Sequence, residues 1–325
     1  MLLRIALLLA LTASSGWALS EENLNQQFDI SAGGKLEVEV DFGTIDVSVG
    51  GDNQVLVHAH RKIDTKGDEA REKEYAAAVP ILVNKEGNTV TVRAVRPKDH
   101  SRWDWSGNVN LDAEYTIKVP KNFNAELRTR GGSITVDGLI GEVAADTNGG
   151  KMKFTQLRGP LDARTSGGGI VLDTCNGDLT VATNGGAIDC KNGSGNLDAR
   201  TSGGSIAVRD FSGDAEVKTS GGKLTFENIN GTLSGKTSAG SISVVLPFPV
   251  PGDVSLQTSA GSIDVALSEK AAVNVEAKTG MGNIRTEIPM LATKSTDDRL
   301  EGTLNGGGKS LVLRTSIGSI TLRPR

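Results

Sequence analysis

One octet recurs along this chain and constrains its fold more than any other feature. It reads T-x-x-G-x-(I/L/M)-x-x and begins at Thr129, Thr147, Thr165, Thr183, Thr201, Thr219 and Thr237, 18 residues apart each time. It returns at Thr258, Thr279 and Thr315 after steps of 21, 21 and 36. A unit this short cannot bury its own apolar face, but stacked copies can, so the period points to a repeat architecture.

Each position in the octet has a physical role. Gly falls three after the Thr in every copy, from Gly132 to Gly318, whereas the preceding position accepts Ala239, Ala260, Met281 and Ile317. The invariant glycine needs either a positive φ or a place with no room for Cβ. Apolar residues stand five after the Thr (Ile170, Ile188, Ile206) and mostly seven after (Leu172, Cys190, Val208), which is strand alternation. A second alternating run precedes each Thr (Leu161 and Ala163, Leu179 and Val181), and a glycine six before it, as at Gly177 and Gly195, marks another corner.

The expected fold is therefore all-β: a single-stack parallel β-solenoid with 18-residue, two-run rungs, right-handed and with rungs about 4.8 Å apart. The Thr column reads as stacked hydroxyls bonded to neighbouring Thr or to the Gly corner. The competing reading is an ordered hydroxyl array matching an ice or crystal lattice. Ser166, Asn184 and Arg130 beside the column are too mixed to favour it.

Outside the repeat the texture changes. Residues 1–20 combine Arg4, an apolar run from Ile5 to Leu11 and small residues through Ser20, the pattern of a signal peptide. No later apolar run approaches transmembrane length. Residues 21–120 read as a β-rich cap with one short helix, GDEAREKEYAAA, and a hairpin turning at Glu86-Gly87-Asn88. DFGTIDV, from Asp41, echoes the octet. Residues 121–325 are the solenoid, with a long insertion at about 287–310. The cap is expected to cover the first rung and the terminal TLRPR to blunt the far edge.

The segments ISAGGKLEVEVDFGTIDVSVGGDNQVLVHAHRK and YTIKVPKNFNAELRTRGGSITVDGLIGEV, with the TSGGSI, TSAGSI and TSIGSI units, resemble the bacterial putative-adhesin family of β-strand-repeat proteins, a domain of unknown function. The resemblance covers most of residues 27–325. It implies a β-solenoid fold, export to the periplasm or cell surface, and adhesin-like binding. It brings no catalytic motif with it.

Candidate chemistry is sparse. A net charge of −4 argues against nucleic acid and anionic lipid as partners. No G-x-S-x-G, H-E-x-x-H or Cys/His set is present, and no cofactor is expected. Asp162, Asp173, Asp189, Asp198 and Asp264 lie at outward positions of different rungs and read as solvated charge rather than as one column facing a basic one. His58 and His60 share a strand face and can hold half of a zinc or copper site. No third ligand is visible nearby, so no metal is expected. Trp103 and Trp105, in PKDHSRWDWSGN, put two rings in a polar loop. They either contact a glycan or surface partner or fold over the cap. Cys175 and Cys190 occupy neighbouring rungs three residues out of phase. Either a disulfide or core filler fits them. The expected protein is an exported, non-enzymatic surface or envelope binding module. The alternative is a carbohydrate-active β-helix enzyme, and an end-to-end filament is disfavoured by the cap and the tail.

Overall fold

The computed structural model describes residues 20–66, 68–96 and 110–325. Strand dominates and the one helix among the described residues is Glu69–Ala78, so the chain is all-β. Two compact units divide near residues 141–148.

In the first unit the strand Gly34–Val40 lies between Thr89–Ala94 and Phe123–Thr129, parallel to both. Thr44–Val49 lies between Asn110–Val119 and Ile134–Asp137, again parallel to both. The echo DFGTIDV is thus a rung in register with the repeat. Val40 stands opposite Thr129 and Ile45 opposite Ile134, and Thr129 Oγ1 donates to Gly43 O at 3.2 Å. The rung that comes first in the sequence is internal, bonded to a strand on each side, and the inward positions of its two runs, Leu36 and Val38, Ile45 and Val47, are all at most 2% exposed. The outer positions go to antiparallel strands. Gln54–Asp64 pairs with Asn110–Val119, Ser20–Asp29 pairs with Gln54–Asp64, and Leu82–Glu86 pairs with Thr89–Ala94.

In the second unit the repeat pairs with itself in parallel. Ile170, Ile188, Ile206, Leu224 and Ile242 are successive partners in one run, and Leu179, Leu197, Ala215 and Leu233 in the other. All ten Thr are buried, at 1–7% exposed. Each hydroxyl donates to the carbonyl of a corner glycine in the adjoining rung, as from Thr183 to Gly168 O at 2.8 Å and from Thr201 to Gly186 O at 2.9 Å. A buried column cannot meet a crystal lattice, so the lattice reading fails. The same bond explains the invariant glycine. A Cβ at Gly204 would sit 1.8 Å from Gly186 O, whereas one at Gly203 meets nothing nearer than 3.6 Å. Close approach rather than positive φ excludes a side chain at Gly204. Positive φ appears at the other corner, in glycines such as Gly177 and in the non-glycine column Gln156, Thr174, Asn192, Asp210 and Asn228, and at the octet glycine in Gly282 and Gly318.

Sequential stacking breaks down at the C-terminal end, so pairing is mixed rather than uniformly parallel. Val254–Ala260 pairs with Lys309–Ile317, which in turn pairs with Val273–Met281. Thr279 accordingly bonds Gly318 O, and Thr315 bonds Gly261 O. The last rung in sequence is inserted ahead of the Thr279 rung. The tail does not blunt an edge, since Ile320 has Ile263 on one side and Ile284 on the other. The edge is covered by the insertion instead: Arg299–Leu304 pairs antiparallel with Val273–Met281, and Leu291–Ser295 with Arg299–Leu304.

Candidate functional site

The outward positions of the run before each Thr form columns across the second unit. Asp162, Thr180, Asp198, Glu216 and Ser234 align in one, and Arg164, Ala182, Arg200, Lys218 and Lys236 in the next. On the other side stand Asp178, Asn196 and Asp214. Thr180, Asp198, Glu216 and Ser234 of the first column line a shallow groove with Asp178, Asn196 and Asp214, and Thr232 completes it. Strand alternation positions these groups: Leu179, Val181, Leu197 and Ala199 point inward, so the residues between them point out.

The aspartates do not gather into one column: Asp162 and Asp198 alternate with Thr180, and each is paired with the arginine two residues on. Arg164 pairs with Asp162 at 2.8 Å, Arg200 with Asp198 at 2.6 Å, and Lys218 with Glu216. Asn196 Nδ2 donates to Asp178 Oδ1 at 2.7 Å. The hydrogen bond from Lys218 holds the Glu216 carboxyl below the ordinary range. On the other run, Asp173 pairs with Lys191, Asp189 with Arg209 and Asp264 with Arg323. Asn192 and then Lys191 lower the Asp173 pKa. Exposed pairs of this kind contribute at most about 1 kcal/mol each.

A second polar face lies in the first unit. His58 and His60 do share a strand face, as expected. His58 Nδ1 is 2.6 Å from Asn25 Oδ1 and His60 Nδ1 is 2.9 Å from Asn23 Oδ1. A depression beside them is lined by Asn25, Gln27, His58, Thr116 and Lys118. Among the described residues no three metal-ligating side chains already converge.

The remaining candidates separate. Trp103 and Trp105 lie outside the described residues. Cys175 and Cys190 are buried and unbridged. Burial pushes the Cys175 thiol up to about 11 and the Cys190 thiol to about 12. The disulfide is therefore not made in this structure, and both thiols pack as apolar core. Phe248 is 55% exposed, in the LPFPVP stretch.

A buried charged cluster in the first unit escaped the sequence reading. Arg61 is 0% exposed. It donates from Nε to Glu22 Oε2 at 2.7 Å, bonds the Val79 carbonyl at the end of the helix, and lies over the Tyr75 ring at 5.9 Å. Nearby in sequence, Asp41 is 3% exposed and accepts from Arg96 N and Nε at 2.8 and 3.0 Å, with Arg130 Nε 3.2 Å away. The signal was present in QVLVHAHRK: Arg61 falls in phase with the inward Val55, Val57 and Ala59. These groups pin the helix and the first corner to the sheet.

The chain is similar to one family model and to several solved structures. The family model Toastrack DUF4097 matches residues 34–323. A solved structure described as a "putative adhesin" from Parabacteroides distasonis ATCC 8503 is 12% identical, with 94% of this chain and 97% of that chain covered and a TM-score of 0.32. A "putative adhesin" from Bacteroides fragilis NCTC 9343 is 11% identical over 93% of this chain and 97% of that one, with a TM-score of 0.30. A "putative lipid binding protein" from Parabacteroides distasonis ATCC 8503 is 11% identical over 93% and 96%, with a TM-score of 0.28. No curated protein matches the chain.

Proposed function

Because this chain belongs to the Toastrack DUF4097 family, we propose that it is an exported, non-enzymatic, adhesin-like protein that binds a glycan or other polymeric component of the cell surface or envelope. The observation that carries this reading is the state of the groove. Two of its carboxylates, Asp198 and Glu216, are paired with Arg200 and Lys218, Asp178 accepts from Asn196 Nδ2 and Asp214 from Thr232 N, and Glu216 is held low rather than raised. Glycoside cleavage needs a carboxylic acid kept protonated near neutral pH, which is the opposite condition. Columns of hydroxyl, amide and carboxylate recurring once per rung suit a polymer with its own short repeat, where many weak contacts add through effective concentration. Trp103 and Trp105 supply further stacking contacts to the same class of ligand. The rungs of the second unit wind with the right hand, as parallel crossovers do.

The second reading is a carbohydrate-active β-helix enzyme, favoured by the density of carboxylates in the groove. Binding of the mature chain to a glycan array and to envelope fractions separates the two. The double variant Asp198→Asn, Glu216→Gln should lose binding while its melting temperature stays within a few degrees of wild type. Trp103→Ala and Trp105→Ala should likewise weaken binding without a large loss of stability. Release of new reducing ends or unsaturated products from an acidic polysaccharide by the wild type, and not by the double variant, would establish the enzyme instead.

A further inference from the structure

Two imidazoles on one strand face each present Nδ1 to an asparagine of the neighbouring strand, and His60 Nδ1 also lies 3.6 Å from Glu21 Oε1. His58 stands opposite Asn25 and His60 opposite Asn23 in the antiparallel register. Each Nδ1 lies within hydrogen-bond distance of the asparagine Oδ1, at 2.6 and 2.9 Å. An amide carbonyl oxygen has no proton to give, so Nδ1 is the donor in both rings. In the neutral imidazole that leaves the Nε2 lone pair as the acceptor. Histidines that ligate metals carry this same contact behind them, with the far ring nitrogen donating to a carbonyl or carboxylate.

The pairing is not needed for the core. The strand's inward positions are Val55, Val57, Ala59, Arg61 and Ile63, all buried, and the histidines lie on the opposite face. On the other side of the histidine strand, Glu114 stands opposite His60 and Thr116 opposite His58. Thr116 Oγ1 donates to Glu114 Oε1 at 3.3 Å. A carboxylate therefore sits one strand away from two nitrogen donors of matched tautomer.

We infer that His58 and His60 form a chelating pair for a borderline divalent transition-metal ion, completed by the Glu114 carboxylate through side-chain rotation and by solvent. Imidazole donors select against Mg²⁺ and Ca²⁺, which take oxygen ligands. Among the first-row divalent ions, Cu²⁺ binds a given nitrogen and oxygen set more tightly than Zn²⁺. This site is independent of the groove proposed to bind a surface polymer, so either can fail alone.

The test is titration of the full mature chain with CuCl₂ and with ZnCl₂, by calorimetry and by electron paramagnetic resonance for copper. One ion should bind per chain, with coupling to two imidazole nitrogens, and MgCl₂ and CaCl₂ should give no heat. His58→Ala and His60→Ala should each remove one coupled nitrogen and weaken binding about tenfold or more. Asn23→Leu and Asn25→Leu, which free the rings without removing a ligand, should weaken it about 10–100-fold. Metal-free melting temperatures should stay within a few degrees of wild type in all four. Undiminished copper binding in the His58→Ala, His60→Ala double variant, or loss of binding in His100→Ala alone, would overturn the assignment.

Discussion

The repeat works because one hydroxyl does two jobs at a corner. Thr201 Oγ1 donates to Gly186 O and accepts from Gly204 N at 3.2 Å. Thr201→Val keeps the shape and leaves both backbone groups buried without that partner. It should cost about 1–3 kcal/mol in chemical denaturation. Gly204→Val drives a Cβ into the Gly186 carbonyl, whereas Gly203→Ala meets only ordinary contacts. The first should prevent folding or lower the melting temperature severely, and the second should move it by a few degrees at most. Equal damage from both would show that the close approach is not the constraint. Ile206, 0% exposed between Ile188 and Leu224, should tolerate no charge. Ile206→Asp is expected to cost roughly 4–5 kcal/mol or more, since an unpaired carboxylate would be buried.

The two thiols give a pH prediction at the same scale. Their folded pKa values are raised from an ordinary 9.0 to about 11 and about 12 by burial. A thiol harder to ionise in the folded state binds more protons there than in the unfolded chain. Its contribution is complete below pH 9 and is lost as pH rises through 11 and 12. Stability should fall across that window, and Cys190→Val should flatten the fall. Neither thiol should react with iodoacetamide at pH 8 until the chain is unfolded, after which both should, with no prior reduction.

At the scale of elements, the telling feature is the internal position of the last rung. If the units stacked in sequence order, removing residues 309–325 would trim one exposed end. In the observed register Lys309–Ile317 and Ile320–Pro324 are each bonded on two sides. The truncation therefore strips partners from Val254–Ala260 and Val273–Met281 together. A chain ending at Gly308 should lose protection from proteolysis back to about residue 254 and melt far below the full chain. A truncation that melts within a few degrees of wild type would restore sequential order. The first unit uses the same device, with Gly34–Val40 and Thr44–Val49 internal and later strands outside them. In both units an antiparallel strand lies outside one run of these swaps, Leu82–Glu86 beside Thr89–Ala94 and Arg299–Leu304 beside Val273–Met281, where a bare parallel edge would template another chain.

At the scale of the whole molecule, much was legible in the residues because the physics is local and periodic. Alternation at period two determined which side chains face inward, as at Ile170 and Leu172. The spacing of 18 determined which residues become parallel partners, as Ile188 and Ile206 do. The glycine three after each Thr identified the corner, and tolerance at the preceding position showed which of the two glycines lacks room. None of this needs long-range information, because each rung meets a near copy of itself. Where neighbours stop being copies, the sequence alone was insufficient. Thr279 and Thr315 look interchangeable along the chain, and only the hydrogen bonds to Gly318 and Gly261 decide that the later rung comes first in space. The histidines were visible as a pair, but Asn23 and Asn25, which hold both rings in one tautomer, lie some 35 residues away. Arg61 carried its inward phase openly, yet its partners come from two other segments, Glu22 from the first strand and Tyr75 and the Val79 carbonyl from the helix. Periodic burial is decided residue by residue, whereas pairing between unlike segments is decided only when the chain has closed on itself and every buried polar group must find a partner.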